Sequence, residues 1–370
     1  MDLKTEIGTL MTEYAQENLE HIHKETFLTN MRKYITELLK EIQLENETED
    51  SIANAYQSAL SSFHGRTTSV YPPIQHELLS SKLTHIQNQY QPEQRSPEWF
   101  SFRNQLLTAS SISKVLGSPA KRNELICSKC NPVVPTNYNF TSGPMHWGIK
   151  YEPVSLDYYC YKNKTQVQSY GCIAHSEYPF IGASPDGINV SETSPLYGVM
   201  VEIKNPISRQ INGNPKEEYW VQCQIQMEVC DLDACDFLET KFTEYASEEE
   251  FYADGSFQIT HDNKHKGIIL QFEIDGMFHY EYLPFYSTSE EYTVWKKTKM
   301  EQYPVFIKEI YWKLDCVECT IIPRNKPWFQ WFLPQIIELQ SIIDREKNTD
   351  DWKKRLPKKK NKLMLSPFSN

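Results

Sequence analysis

Three residues whose types and spacing suit phosphodiester chemistry lie between Ser184 and Pro206. The first run reads Ser184-Pro185-Asp186-Gly187, and the second Val199-Met200-Val201-Glu202-Ile203-Lys204-Asn205-Pro206. Alternate residues of a strand share a face, so Glu202 and Lys204 project together while Val201 and Ile203 face the other side. If the two runs are neighbouring strands, Asp186 joins them. Two carboxylates and an ammonium then converge. Oxygen ligands of this kind hold Mg²⁺, the metal acidifies water, and a lysine steadies the nucleophile or the developing charge. Alone, a Glu-x-Lys pair on a strand reads first as a surface ion pair; the surrounding elements decide.

Short runs rich in β-formers predict strands at 167–174, 179–183, 186–190 and 199–204, then at 234–245, 267–274 and 277–284. Asp275-Gly276 marks a hairpin between the last two. Ser96-Pro97-Glu98 starts a helix running to Gln105. Further helices are expected from Thr108 or Ser110 to Gly117, from Glu152 to Lys162 with Pro153 at its first position, at 216–230, 289–312 and 328–347. Residues before about 63 are helical, with apolar stripes such as Met31, Ile35, Leu38, Leu39 and Ile42, and Gly65, Pro72 and Pro73 place a linker near 64–75.

The bulk composition restricts the class. Hydrophobic residues make 39% and aromatics 13% of 370 residues, enough for a well-filled core and against wholesale disorder. No run approaches the ~18 apolar residues of a membrane span, and Met1-Asp2-Leu3-Lys4-Thr5-Glu6 has no secretory pattern; a soluble, intracellular protein with no membrane partner is expected. Nine cysteines, an odd and sparse count, fit reduced thiols. A net charge of −11 argues against a protein that coats nucleic acid everywhere, but leaves room for a local basic groove.

The motifs, taken in order, resemble the YqaJ-type viral recombinases, the bacteriophage lambda exonuclease family within the PD-(D/E)XK nucleases. They are Gln94-Arg95-Ser96-Pro97-Glu98-Trp99 with Arg103 and Leu107-Thr108-Ala109-Ser110, then Gly148-Ile149-Lys150-Tyr151-Glu152, Ser184-Pro185-Asp186-Gly187, Glu202-Ile203-Lys204, and Gln222-Cys223-Gln224-Ile225-Gln226-Met227. The resemblance covers roughly residues 90–285. It implies an α/β fold with a restriction-endonuclease-like core, a central mixed β-sheet flanked by helices, an N-terminal helical extension and C-terminal helices. The expected division is a helical extension at 1–75, a nuclease core at 76–315, a C-terminal helical segment at 316–347 and a disordered basic tail at 348–370.

The same resemblance assigns roles. Asp186, Glu202 and Glu152 would be metal-binding carboxylates, with the backbone carbonyl of Ile203 as a further ligand and Lys204 as the catalytic lysine. Two Mg²⁺ per site are implied, with Mn²⁺ as a substitute. Arg103 would anchor a 5′-phosphate, which a guanidinium binds bidentately, with Ser110, Ser184 and Gln224 as companions; Gln222 or Gln226 could face the site instead of Gln224. The implied activity is Mg-dependent exonucleolytic digestion of linear double-stranded DNA from 5′-phosphorylated ends, leaving 3′ single-strand tails for viral recombination, repair or replication. An endonuclease, or a catalytically silent DNA-binding recombination scaffold, are the alternatives. Implied partners are DNA ends, a single-strand annealing protein and further copies of the chain in a trimeric ring, at a viral replication site in the cytoplasm or nucleus of a host.

Three features stand outside that pattern. Cys127-x-x-Cys130 and Cys316-x-x-Cys319 have the make-up of a Cys₄ zinc site if they meet in space; buried free thiols are the plainer reading. Lys353 to Lys362 carry seven positive charges in ten residues, read as a DNA contact, a nuclear import address or a solubilising tail. Trp99, Tyr151 and Trp220 flank the site and either stack on an unpaired base or fill the core.

Overall fold

The computed structural model describes residues 2–41, 48–60, 63, 65–93, 96–131 and 142–356. The chain opens with α1 (Leu3–Glu17), whose first turn is capped by the Asp2 carboxylate accepting from the Thr5 N–H at 2.7 Å. Helices α2 (Phe27–Glu41) and α3 (Glu49–Leu60) follow. Ile7, Met11, Met31, Ile35 and Tyr56 face inward and join the same buried cluster as Trp220, Trp328, Phe332 and Leu339. The first 75 residues therefore share the main core and are not an appendage on a linker. The stretch expected to be a linker holds a fully buried Arg66, and Thr68 bridges to Ile321.

The next elements are α4 (His76–Asn88), α5 (Pro97–Gln105), β1 (Leu107–Thr108), α6 (Ala109–Ile112) and α7 (Pro119–Cys130). Helix α8 (Gly143–Asn163) begins nine residues before the expected Glu152, so Pro153 lies in its interior. A proline there costs the bond to the carbonyl four residues back. That carbonyl belongs to Ile149, which lines an open cavity instead of the core. Strands β2 (Val167–Gln168), β3 (Ile173–Ala174), β4 (Ile181–Ala183), β5 (Gly187–Asn189) and β6 (Met200–Lys204) lead into α9 (Glu217–Cys230) and β7 (Ala234–Glu244).

The C-terminal part comprises α10 (Glu248–Ala253), β8 (Lys266–Ile274), β9 (Met277–Tyr282), α11 (Ser289–Gln302), β10 (Phe306–Pro323) and α12 (Lys326–Thr349). Helix α11 stops ten residues short of the expected end, ahead of Pro304, and the chain turns into an 18-residue strand. Strand β10 pairs antiparallel with both β7 and β8, so the boundary expected at 315/316 falls inside it. Long-range pairing outweighed a weak helical period there. The expected polar tail is also ordered at its start. A 3₁₀ turn at Asp351–Arg355 buries Trp352, and Arg355 donates to Glu346 and Asn123, each at 2.7 Å. Residues 357–370, with Lys358 to Lys362, lie outside the described residues.

The main sheet runs β2-β5-β6-β7-β10-β8-β9, with β6 and β7 parallel and its other pairs antiparallel. A small sheet, β1-β4-β3, stands beside it. This is the mixed α/β architecture expected from the resemblance. Among the described residues no helix is long and apolar enough to cross a membrane.

One face of the β6–β7 pair carries a buried polar knot. The Asp236 carboxylate accepts from the Tyr71 hydroxyl at 2.9 Å and the Tyr159 hydroxyl at 2.6 Å, and Asn189 donates to Tyr159 at 3.1 Å. Burial pushes the Asp236 carboxyl up to about 6, with the two tyrosines opposing. Between about pH 4 and 6 the folded chain then holds a proton that the unfolded chain releases, so this group's contribution falls as pH rises through that window. Relative to Asp236→Asn, the wild type should lose on the order of 3 kcal/mol of unfolding free energy between pH 4 and 7. Denaturant melts across that range check this; parallel pH curves for the two proteins would contradict it.

Candidate active site

Strands β5 and β6 are antiparallel neighbours, with Gly187 opposite Val201. Asp186 thus ends up beside β6, where its Oδ2 accepts from the Ile203 N–H at 2.7 Å. Val201 and Ile203 pack into the apolar cluster with Leu238. Glu202 and Lys204 occupy the opposite face, and the Lys204 Nζ pairs with Glu202 Oε1. Both expectations about register hold.

Glu202 is only 1% exposed, and a buried carboxylate needs its lone pairs filled. Helix α9 does this. Gln222 donates to Glu202 Oε1 at 2.6 Å, and Gln226 donates to Oε2 at 2.7 Å and to the Ser184 carbonyl at 3.3 Å. Positions four apart share a helix face. Gln224 therefore points away: its amide donates to the Pro323 carbonyl at 2.8 Å and accepts from the Asn325 N–H at 2.8 Å. Gln224 thus does not face the cavity, whereas Gln222 and Gln226, the two alternatives, do, and their i, i+4 spacing was the available signal.

A cavity of about 230 Å³ gathers the remaining candidates: Arg103, Ser110, Glu152 and Ser184 line it together with Asp186, Glu202, Lys204, Gln222 and Gln226. Arg103 sits in the last turn of α5, its guanidinium 4.3 Å from the Trp99 ring centroid and 3.5 Å from Ser110 Oγ. Trp99 also lines the cavity, whereas Tyr151 and Trp220 are wholly buried and serve the core. Glu152 is exposed in mid-helix and reaches the site from α8, so it is not the helix-start acid that its Pro153 neighbour suggested. A second cavity of about 470 Å³ shares Glu152, Asp186 and Lys204 with the first. Its other wall, which sequence reasoning missed, includes Arg209, Lys216 and Tyr219. These come from the loop after β6 and the start of α9, which carry no motif of their own.

The electrostatics follow from this crowding. Desolvation, then the Glu202 and Glu152 charges, hold the Asp186 carboxyl well above its ordinary range, against Lys204 and the Ile203 N–H. For Lys204 burial works against the charge, but Glu202 and Asp186 outweigh it and raise the ammonium above its usual range. The donor set is all oxygen, the chemistry of a hard divalent cation. Even so, among the described residues no group of three or more His, Cys, Asp or Glu side chains converges closely enough to hold a metal ion. Ile203 contributes its N–H to Asp186.

The zinc expectation fails on geometry. Cys127 and Cys130 lie on α7 with their thiols against the carbonyls of Trp352 (3.6 Å) and Ile343 (3.8 Å). Cys316 and Cys319 lie exposed on β10 beside Lys241 and Leu238. All four are free thiols.

Residues 98–233 match the family model of the YqaJ-like viral recombinase domain. An uncharacterized protein of Acanthamoeba polyphaga mimivirus is 29% identical over 332 residues, which cover 78% of this chain and 59% of that protein. The chain thus spans about three fifths of the length of this relative. Among solved structures, the alkaline exonuclease LHK-Exo from Laribacter hongkongensis covers 70% of this chain and 98% of its own at 20% identity, with a TM-score of 0.40. Its complex with dAMP gives 18% identity and a TM-score of 0.41. A phage-related exonuclease from Haemophilus somnus gives 11% identity and 0.38, covering 66% of this chain and 96% of its own. The matched stretch holds Arg103, Glu152, Asp186, Glu202, Lys204, Gln222 and Gln226 alike, and over residues 98–233 the chain is similar to the YqaJ-like viral recombinase domain.

Proposed function

We propose that this chain is a metal-dependent deoxyribonuclease, an exonuclease that digests linear double-stranded DNA from 5′-phosphorylated ends and leaves 3′ single-strand tails for recombination. One observation carries the reading: a single cavity is lined by a guanidinium with a serine hydroxyl and by three carboxylates with a lysine. In this reading a phosphate held at Arg103 leaves the next phosphodiester to Asp186, Glu202 and Lys204, which line the same cavity. Endonucleolytic cutting on the same fold would not need that anchor.

Each side chain has a definite task in this reading. Arg103, its face set by Trp99, binds the terminal phosphate bidentately. Asp186 and Glu202, with the Ile203 carbonyl, would hold Mg²⁺ or Mn²⁺, while Glu152 lines the same cavity without converging on the other two carboxylates. The bound cations would lower the pKa of water and stabilise attacking and leaving oxygens. Glu202 is pinned by Gln222 and Gln226, so it is presented in one orientation. Lys204 carries a proton while paired with Glu202, and orients the attacking water while offsetting charge on the phosphate. The ring assembly and the annealing partner are further parts of this proposal, open to light scattering and co-purification.

Lys204→Ala should lower cleavage of linear duplex at least ~100-fold while DNA binding is kept, because it removes charge stabilisation at the reacting phosphate. EDTA should have the same effect on the wild type. Normal cutting by the variant would defeat the mechanism, and cutting of a closed circle would favour an endonuclease. Intact binding with no cleavage by the wild type would favour the silent scaffold.

Arg103→Ala should act on end choice. Charge-assisted bonds are worth ~1.5–3 kcal/mol, so the preference for 5′-phosphate over 5′-hydroxyl ends should shrink roughly 10- to 100-fold. Paired substrates in one gel assay read this ratio, and an unchanged ratio would remove Arg103 from the anchor. Gln226→Ala should lower kcat about 10-fold or more. Gln224→Ala should instead lower the melting temperature and leave kcat of the folded fraction intact; the reverse pattern would contradict the assignment of the glutamines.

A further inference from the structure

Arg66 is a fully buried cation that the proposed chemistry does not use. Its guanidinium donates to the Pro215 carbonyl, to Asn214 Oδ1 and, at 3.4 Å, to the His23 carbonyl. Its own carbonyl accepts from the Trp220 indole N–H at 2.6 Å. Neighbouring contacts converge on the same stretch. Asn214 donates to the Glu25 carbonyl at 3.0 Å, and Thr320 donates to the Gly213 carbonyl at 3.2 Å. His23, 3% exposed, stands 3.4 Å from Glu217 and holds that carboxyl below its usual range. Residues 213–220 are the last loop and first turn of α9. Gln222 and Gln226, which clamp Glu202, come on the next turns, and Lys216 and Tyr219 line the larger cavity.

We propose that the N-terminal region acts as a brace for the active site, with Arg66 as a positioning residue that fixes the start of α9 and through it the Gln222–Gln226 clamp on Glu202. This rests on the nuclease reading for its consequence in catalysis, but not for the brace itself. Arg66 lies outside the matched recombinase domain, so an element beyond that domain sets the geometry within it. Removing the guanidinium leaves several buried acceptors unpaired at one helix end, and fraying there reaches Gln222 within two residues.

The test uses the full chain with Arg66→Met and Trp220→Phe, the second keeping a ring against Trp328 in case the first does not fold. Hydrogen-exchange mass spectrometry should show faster exchange over residues 217–226 in either variant, with β7 and β10 unchanged. Unchanged exchange over 217–226 in folded Trp220→Phe would overturn the brace. On linear duplex DNA with Mg²⁺, Trp220→Phe should lower kcat about 3- to 10-fold with KM within about twofold. That loss should vanish on a Gln226→Ala background, since both changes act through Glu202. Losses that multiply independently would overturn the link to the clamp. If the wild type does not cut DNA, the nuclease reading falls and the exchange result still decides the brace.

Discussion

A carboxylate that is 1% exposed has to be held by other groups, and the holding of Glu202 organises this molecule. Water would otherwise supply its hydrogen bonds, and an unsatisfied charge in the interior costs several kcal/mol. Here two amides from one helix and an ammonium from the same strand replace water. The strand must be central, the helix must lie across it with residues four apart facing inward, and the lysine must sit two positions on. Each requirement fixes an element: β6 between β5 and β7, α9 across it, Lys204 on the open side.

The same arrangement crowds three carboxylates where the two cavities meet. Asp186, Glu202 and Glu152 lie close to one another there, and the cost is visible in the raised Asp186 carboxyl. Carboxylates crowded at a cleft are a common mark of a functional site, because pure stability would favour apolar replacement. The Arg324–Glu228 pair, with both groups in the interior, shows the contrast: its carboxylate oxygens are each met by a guanidinium nitrogen, at 2.9 and 2.6 Å.

Around this centre the rest of the chain is continuous. One buried cluster runs from Ile7 in α1 through Trp220 in α9 to Ile343 in α12. Strand β10 joins β7 to β8 and so carries the sheet past the place where composition suggested a boundary. The Asp236 knot adds a polar tie between Tyr71, before α4, and Tyr159 of α8. A protein built this way transmits the placement of its first seventy residues directly to the helix over its cleft.

The sequence by itself determined whatever depends on neighbours along the chain. The i, i+2 alternation put Glu202 and Lys204 on one face, the Ser96-Pro97 start gave α5 and Arg103, and Asp275-Gly276 gave the β8–β9 hairpin. The ordered motifs carried the resemblance that the family model matches over residues 98–233. Tertiary structure decided what depends on distant surfaces. Three alternating glutamines are equivalent until α9 has a sheet on one side and Pro323 on the other, and only then do Gln222 and Gln226 become the clamp and Gln224 a structural residue. Pro153 reads as a helix start until Ile149 is seen to line a cavity. The segment 306–323 became a strand because β7 and β8 offered open edges, and the two Cys-x-x-Cys pairs stayed apart because one lies on α7 against α12 and the other on β10. Local pattern fixes which face a side chain takes; only the folded chain supplies the partner that the face meets.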